Sequence, residues 1–90
     1  MGFRIKRGLR LTEAQQAYIW ALSRLYTGLP PEWRREIRKQ CKKSAGDYAQ
    51  ALLEFVTTDK TATEICMRHY MGRSTLYRCV KRYYENFPMP

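Results

Sequence analysis

The residues best suited to do chemistry lie together in residues 61–86. Arg73, Ser74, Tyr77, Arg78, Lys81 and Arg82 alternate at one- and three-residue steps. A helix through them gathers all six on one side. Guanidinium groups pair with guanine edges, hydroxyls bond to several base edges, and Lys and Arg bind phosphate. The chemistry on offer is recognition of a nucleic acid. The N-terminal residues of such a helix reach deepest into a major groove. Arg73, Ser74, Tyr77 and Arg78 are therefore the candidates for base readout. Lys81, Arg82 and Arg68 are the candidates for phosphate, with Thr61 and Thr63 donating from the start of a preceding helix.

Catalysis is poorly provided for. His69 is the single histidine, and Cys66 lies three residues before it, with Cys79 further on. That offers at most three zinc ligands and no paired CxxC. A Cys nucleophile working with His69 lacks an orienting acid in sequence, and Glu64 is accounted for by the first turn of a helix. No carboxylate pair, glycine-rich phosphate loop or metal-ligand spacing is present. The expectation is a protein that is not an enzyme, with no cofactor, no metal and no small-molecule ligand.

These residues need elements to hold them. Residues 61–86 have the form of a helix-turn-helix. A short helix starts at a Thr cap and runs to about Tyr70, Met71-Gly72-Arg73 turns the chain, and a second helix opens at Gly72 or Ser74. Ile65, Met71, Leu76 and Val80 fall where the two helices pack, and Cys66 falls where a small residue is needed. Leu76, Val80, Tyr83 and Phe87 form the inward stripe of the second helix. The turn position that often holds Gly in this motif is Tyr70. Tyr83, Tyr84 and Phe87 could stack on single-stranded bases, but the reading places Tyr83 and Phe87 in the core and Tyr84 at the surface or an interface.

Upstream, Thr12 with Gln15 makes a capping box and starts a helix. Ala14, Tyr18, Ala21, Leu22 and Leu25 form its apolar face, and Gly28 with Pro30-Pro31 ends it. Pro31 suits the first turn of a second helix over 31–43, with Trp33, Ile37 and Cys41 as a narrow apolar stripe. Ser44 with Asp47 reads as a cap for a third helix over 46–58, which is apolar over most of its circumference and should be the buried centre. Trp20 lies off the first helix's stripe, where either a contact between two copies or a lid on the core would account for it. The fold expected is all-α, with four to five helices: a basic arm at 1–11 and one domain at 12–90.

Seventeen Lys and Arg against eight Asp and Glu give a formal charge of +9 over 90 residues. The charge is clustered in three basic patches: 1–10, 31–43 and the last third. A polyanion is the simplest partner, and nucleic acid the simplest polyanion. Arg4, Lys6, Arg7 and Arg10 could follow a minor groove, or merely add non-specific attraction. No apolar run approaches the ~18–20 residues of a membrane span, and no signal peptide is visible. An odd number of cysteines without CxxC spacing suits a reducing compartment. The expectation is a cytoplasmic protein of a bacterium, phage or plasmid, with no membrane association.

The run Glu64-Ile65-Cys66, Arg68-His69 and Met71, then Ser74, Leu76, Val80 and Arg82, resembles the helix-turn-helix of PapB-type regulators of fimbrial operons. The apolar Ala51-Leu52-Leu53-Glu54-Phe55-Val56 resembles that family's preceding helix, so the likeness covers about 44–82. Leu11-Thr12-Glu13-Ala14-Gln15 is similar to the start of the related plasmid repressors of the KorA/TrfB type. The basic segment 31–43 has no counterpart in the family. A looser likeness links residues 73–78 to serine recombinases, but the chain is too short for their catalytic domain. The resemblance implies a sequence-specific transcriptional regulator of double-stranded DNA, acting as a homodimer or higher homo-oligomer. It also implies that Cys66, Arg68 and the helix opening at Arg73-Ser74 belong to the DNA-binding unit. The rivals are an RNA- or single-strand-binding module and a small phage or plasmid assembly protein.

Overall fold

The computed structural model describes residues 9–88. Arg4, Lys6 and Arg7 of the expected arm lie outside the described residues, while Arg10 is exposed. Five α-helices follow one another: α1 (Glu13–Arg24), α2 (Pro31–Ala45), α3 (Ala49–Thr57), α4 (Ala62–His69) and α5 (Arg73–Asn86). Short 3-10 turns, Tyr26–Gly28 and Gly46–Tyr48, precede α2 and α3. The described residues include no strand, so the fold is all-α, as expected.

Two helices start at capping boxes. Thr12 Oγ1 accepts from the Gln15 amide at 3.1 Å, and Gln15 Oε1 accepts from the Thr12 amide at 2.9 Å. Thr61 and Glu64 repeat the arrangement at α4, at 3.2 and 3.1 Å. Each box satisfies two N–H groups that a helix start otherwise leaves without partners. Pro31 opens α2 at its first position, where the absent N–H costs nothing.

Helix α3 packs against all four other helices, and α2 lies along both α3 and α5. The core is built from Ile19, Ile37, Leu52, Ile65, Leu76, Val80 and Tyr83. Burial of each aliphatic side chain there contributes about 1.5–3 kcal/mol. Among the described residues no helix is long and apolar enough to cross a membrane.

Three readings of the sequence are corrected. The inward face of α1 is Gln16, Ile19 and Ser23, while Ala14, Ala21 and Leu25 are exposed. The polar members are satisfied inside. Gln16 Nε2 donates to the Leu11 carbonyl at 3.4 Å. Ser23 Oγ donates to the Ile19 carbonyl at 2.7 Å and lies 2.7 Å from Tyr83 Oη. The serine proton is committed to a carbonyl that can only accept, so Tyr83 is the donor in the second bond. Ser44 caps nothing. It is buried within α2, which runs on to Ala45 and breaks at Gly46, at φ 55, ψ −116, a conformation open to glycine. Tyr84 is buried rather than at the surface. It packs edge-on to Tyr83, with ring centroids 6.0 Å apart.

Candidate nucleic-acid interface

The α4–α5 unit turns over three residues, and its geometry follows from how α4 ends. Tyr70 takes the left-handed conformation at φ 52, ψ 51. That reverses the chain and lets the Met71 amide reach back to the Cys66 carbonyl at 3.1 Å. This six-to-one bond is the mark of a Schellman ending, and its usual companion is an apolar pair at the same two positions. Here the pair is Met71 and Cys66, both packed into the core. Gly72, at φ −82, then precedes α5 in ordinary extended backbone. The left-handed position thus falls to Tyr70, whose side chain lies in solvent, 92% exposed.

Helix α5 divides cleanly. Leu76, Cys79, Val80, Tyr83 and Tyr84 are buried. Arg73, Ser74, Tyr77, Arg78, Lys81 and Arg82 are all exposed. Among the described residues, Arg78, Lys81 and Arg82 form no ion pair. No acid interrupts the face until Glu85. Four base-readout candidates and two phosphate candidates therefore share one solvent-facing side of one helix. Arg10 joins its far end, lining a shallow groove with Leu11, Lys81 and Glu85.

The α4 candidates are more constrained. Thr61 Oγ1 accepts from the Glu64 amide and donates to Glu64 Oε1 at 3.2 Å, so its hydroxyl is committed to the cap. Thr63 Oγ1 accepts from the Arg73 guanidinium across the turn. That contact ties the first residue of α5 to the first turn of α4.

Glu54 is the residue that sequence reasoning missed. From α3 its carboxylate takes His69 Nε2 at 2.8 Å, Lys60 Nζ at 3.0 Å and Arg68 Nε at 3.2 Å. The hydrogen bond from His69, aided by Lys60 and Arg68, holds the carboxyl down to about 2 against an opposing cost of burial. This acid sets α4, and with it α5, against α3. Arg68 is thereby partly neutralised, although its side chain remains largely in solvent. The only sequence signal was an acid in the middle of an apolar helix.

Glu54 also supplies the acid on His69 that the sequence reading found lacking. Cys66 makes no hydrogen bond with His69 among the described residues. Burial pushes the Cys41 thiol up to about 12, far from a nucleophilic thiolate. No group of three or more His, Cys, Asp and Glu among the described residues could hold a metal. Tyr83, Tyr84 and Phe87 are all buried, which removes them as a stacking platform. Trp20 is half-buried, with the Arg24 guanidinium 5.0 Å from its ring. Arg24 also pairs with Asp59, tying the end of α1 to the loop before α4. No family model, curated protein or solved structure matches this chain.

Proposed function

We propose that this chain is a sequence-specific regulator of transcription, binding duplex DNA through a helix-turn-helix formed by α4 and α5. The observation that carries the reading is the outer face of α5. Arg73, Ser74, Tyr77 and Arg78 stand exposed over its first turns, followed by Lys81 and Arg82 without ion-pair partners. A face that mixes paired donors, a hydroxyl and an aromatic ring with plain cations suits base edges flanked by phosphates. The inner face of the same helix is fixed in the core, so the outer face is presented rigidly. The reading includes a PapB-like mode of action and self-association. Two copies would place their α5 helices on half-sites about 34 Å apart. Blocking a promoter is the simplest output.

One observation favours a second reading. Tyr70 and Tyr77 are exposed on either side of the turn, and exposed aromatics suit unpaired bases. A titration against duplex DNA, single-stranded DNA and duplex RNA at two salt concentrations separates the two, run beside selection from a random duplex pool. The regulator reading expects duplex DNA to bind most tightly and selection to enrich one motif. Preference for RNA or single strands would replace it. Equal binding to every polyanion, collapsing with salt, would reduce it to bulk charge attraction.

A further inference from the structure

Helix α2 carries a second basic face. Arg35, Arg38, Lys39, Lys42 and Lys43 are all exposed. They sit opposite the buried Ile37, Gln40, Cys41 and Ser44. Arg38 donates to Tyr26 Oη at 2.8 Å, and the other four have no hydrogen-bond or ion-pair partner among the described residues. No acid lies within the stripe. Arg35 is three and four residues from Arg38 and Lys39, and Lys39 stands the same way to Lys42 and Lys43. Like charges at those spacings oppose helix formation. Glu32 and Glu36, three residues before Arg35 and Lys39, and the helix C-terminus beside Lys42 and Lys43 offset only part of that repulsion.

The stripe is not an extension of the α5 face. Helices α2 and α5 lie against one another, and each buries the side opposite its cations. Each basic face is thus directed out of the core on its own helix, in a body of 34 × 30 × 25 Å. From Arg35 to Lys43 the stripe runs about 12 Å along the helix. Duplex DNA presents roughly one charge per 1.7 Å of axis, dense enough to meet all five cations. Ile37 and Cys41 of α2 are locked in the core, and Trp33, in its first turn, is the one large apolar side chain that the helix exposes, at 37%, which is little to insert into a lipid surface.

We propose that the outer face of α2 is a second, sequence-independent binding site for the duplex backbone, so that one copy holds two DNA segments at once. This rests on the α5 reading above. The experiment mixes the protein with donor- and acceptor-labelled short duplexes and reads energy transfer between them, beside the affinity for one duplex carrying the selected motif. The wild type should bring the labels together. The variant R35Q/K39Q/K42Q/K43Q should lose that signal while keeping its single-duplex affinity and sequence preference. The charge-conserving R35K/K39R/K42R/K43R should keep both. Removing like-charge pairs should leave the thermal midpoint of the Gln variant unchanged or raised, and K39Q/K42Q gives a lighter perturbation with a partial loss. Bridging that survives in the Gln variant would overturn the proposal and assign the second duplex to a second copy of the chain. Equal loss of bridging and single-duplex binding would also overturn it, by placing both faces on one duplex. If R73A/R78A abolishes motif binding while the wild type never bridges, the α5 reading stands and this one falls. If the wild type binds no duplex, both fall.

Discussion

Helices α2 and α5 are built to the same plan and differ in two respects. They are 15 and 14 residues long. Their buried faces share one spacing, Ile37, Gln40, Cys41 and Ser44 against Leu76, Cys79, Val80 and Tyr83. The inner face of α2 is half polar, and Gln40 Oε1 and Ser44 Oγ have no hydrogen-bond partner among the described residues. The inner face of α5 is apolar except for two phenols, that of Tyr83, which bonds Ser23, and that of Tyr84. Outside, beyond Glu32 and Trp33 in its first turn, α2 exposes only cations from Arg35 to Lys43, whereas α5 intersperses its cations with Ser74 and Tyr77. Point charges hold a phosphate backbone without reading it, while mixed donor types can distinguish base edges. On the proposed function, the comparison separates a surface that would grip from a surface that would select.

The largest test of that contrast lies inside. Leu76→Ala should destabilise the domain by about 2–5 kcal/mol, read by chemical denaturation, because it opens a cavity beneath the selecting face. Next come the outer residues. Arg73→Ala and Arg78→Ala should each relax sequence preference by about 1–3 kcal/mol per lost base contact, measured on matched and mismatched duplexes. Lys81→Ala should weaken binding to every sequence alike and lower the salt slope by about 1. If Arg78→Ala also acted uniformly, α5 would be a gripping face like α2.

Smaller effects refine the picture. Tyr70→Gly should raise stability by about 1 kcal/mol, because glycine holds the left-handed conformation without strain. For a domain of this size that is a rise of about 4–8 °C in midpoint. Ser44→Ala should stabilise by about 1 kcal/mol, since it removes a buried hydroxyl without a partner. No comparable gain is available on the inner face of α5. Glu54 gives a pH-gated difference. Its carboxyl, held near 2 instead of the ordinary 4.5, adds stability that is complete above pH 4.5 and is lost as the pH falls toward 2. Glu54→Gln should flatten that acid limb in pH-dependent unfolding. The cations of α2 have no such acid, and their variants should leave the limb unchanged.

Much of this plan was legible in the sequence. The Thr12–Gln15 capping box, the Thr cap of α4, the Pro31 start and the inward stripe Leu76, Val80, Tyr83 and Phe87 follow from residue type and spacing, and all are present. The face of α1 was not legible, because Gln16 and Ser23 are polar yet bonded inside. Hydrophobic period cannot register a residue whose partner is a distant carbonyl or phenol. Ser44 misled for the converse reason: a residue favoured at caps lies buried mid-helix. Glu54 was invisible as an organiser because its three partners lie six to fifteen residues downstream and meet only when α4 folds back on α3. The outer residues of α5 were found because its buried face is hydrophobic at helical spacing, which leaves the charged positions outside.

The bond between Ser23 and Tyr83 spans 60 residues, and this bears on synthesis. During translation, α1 leaves the ribosome long before the phenol that completes its inner face. A nascent chain halted before residue 83 holds Ile19 and Ser23 against an unfinished core. Helices α1 to α4 can form early, but closure waits for α5. The helix that presents the proposed DNA-reading side chains is thus the one whose arrival completes the fold, so an incomplete chain has neither a finished core nor that surface.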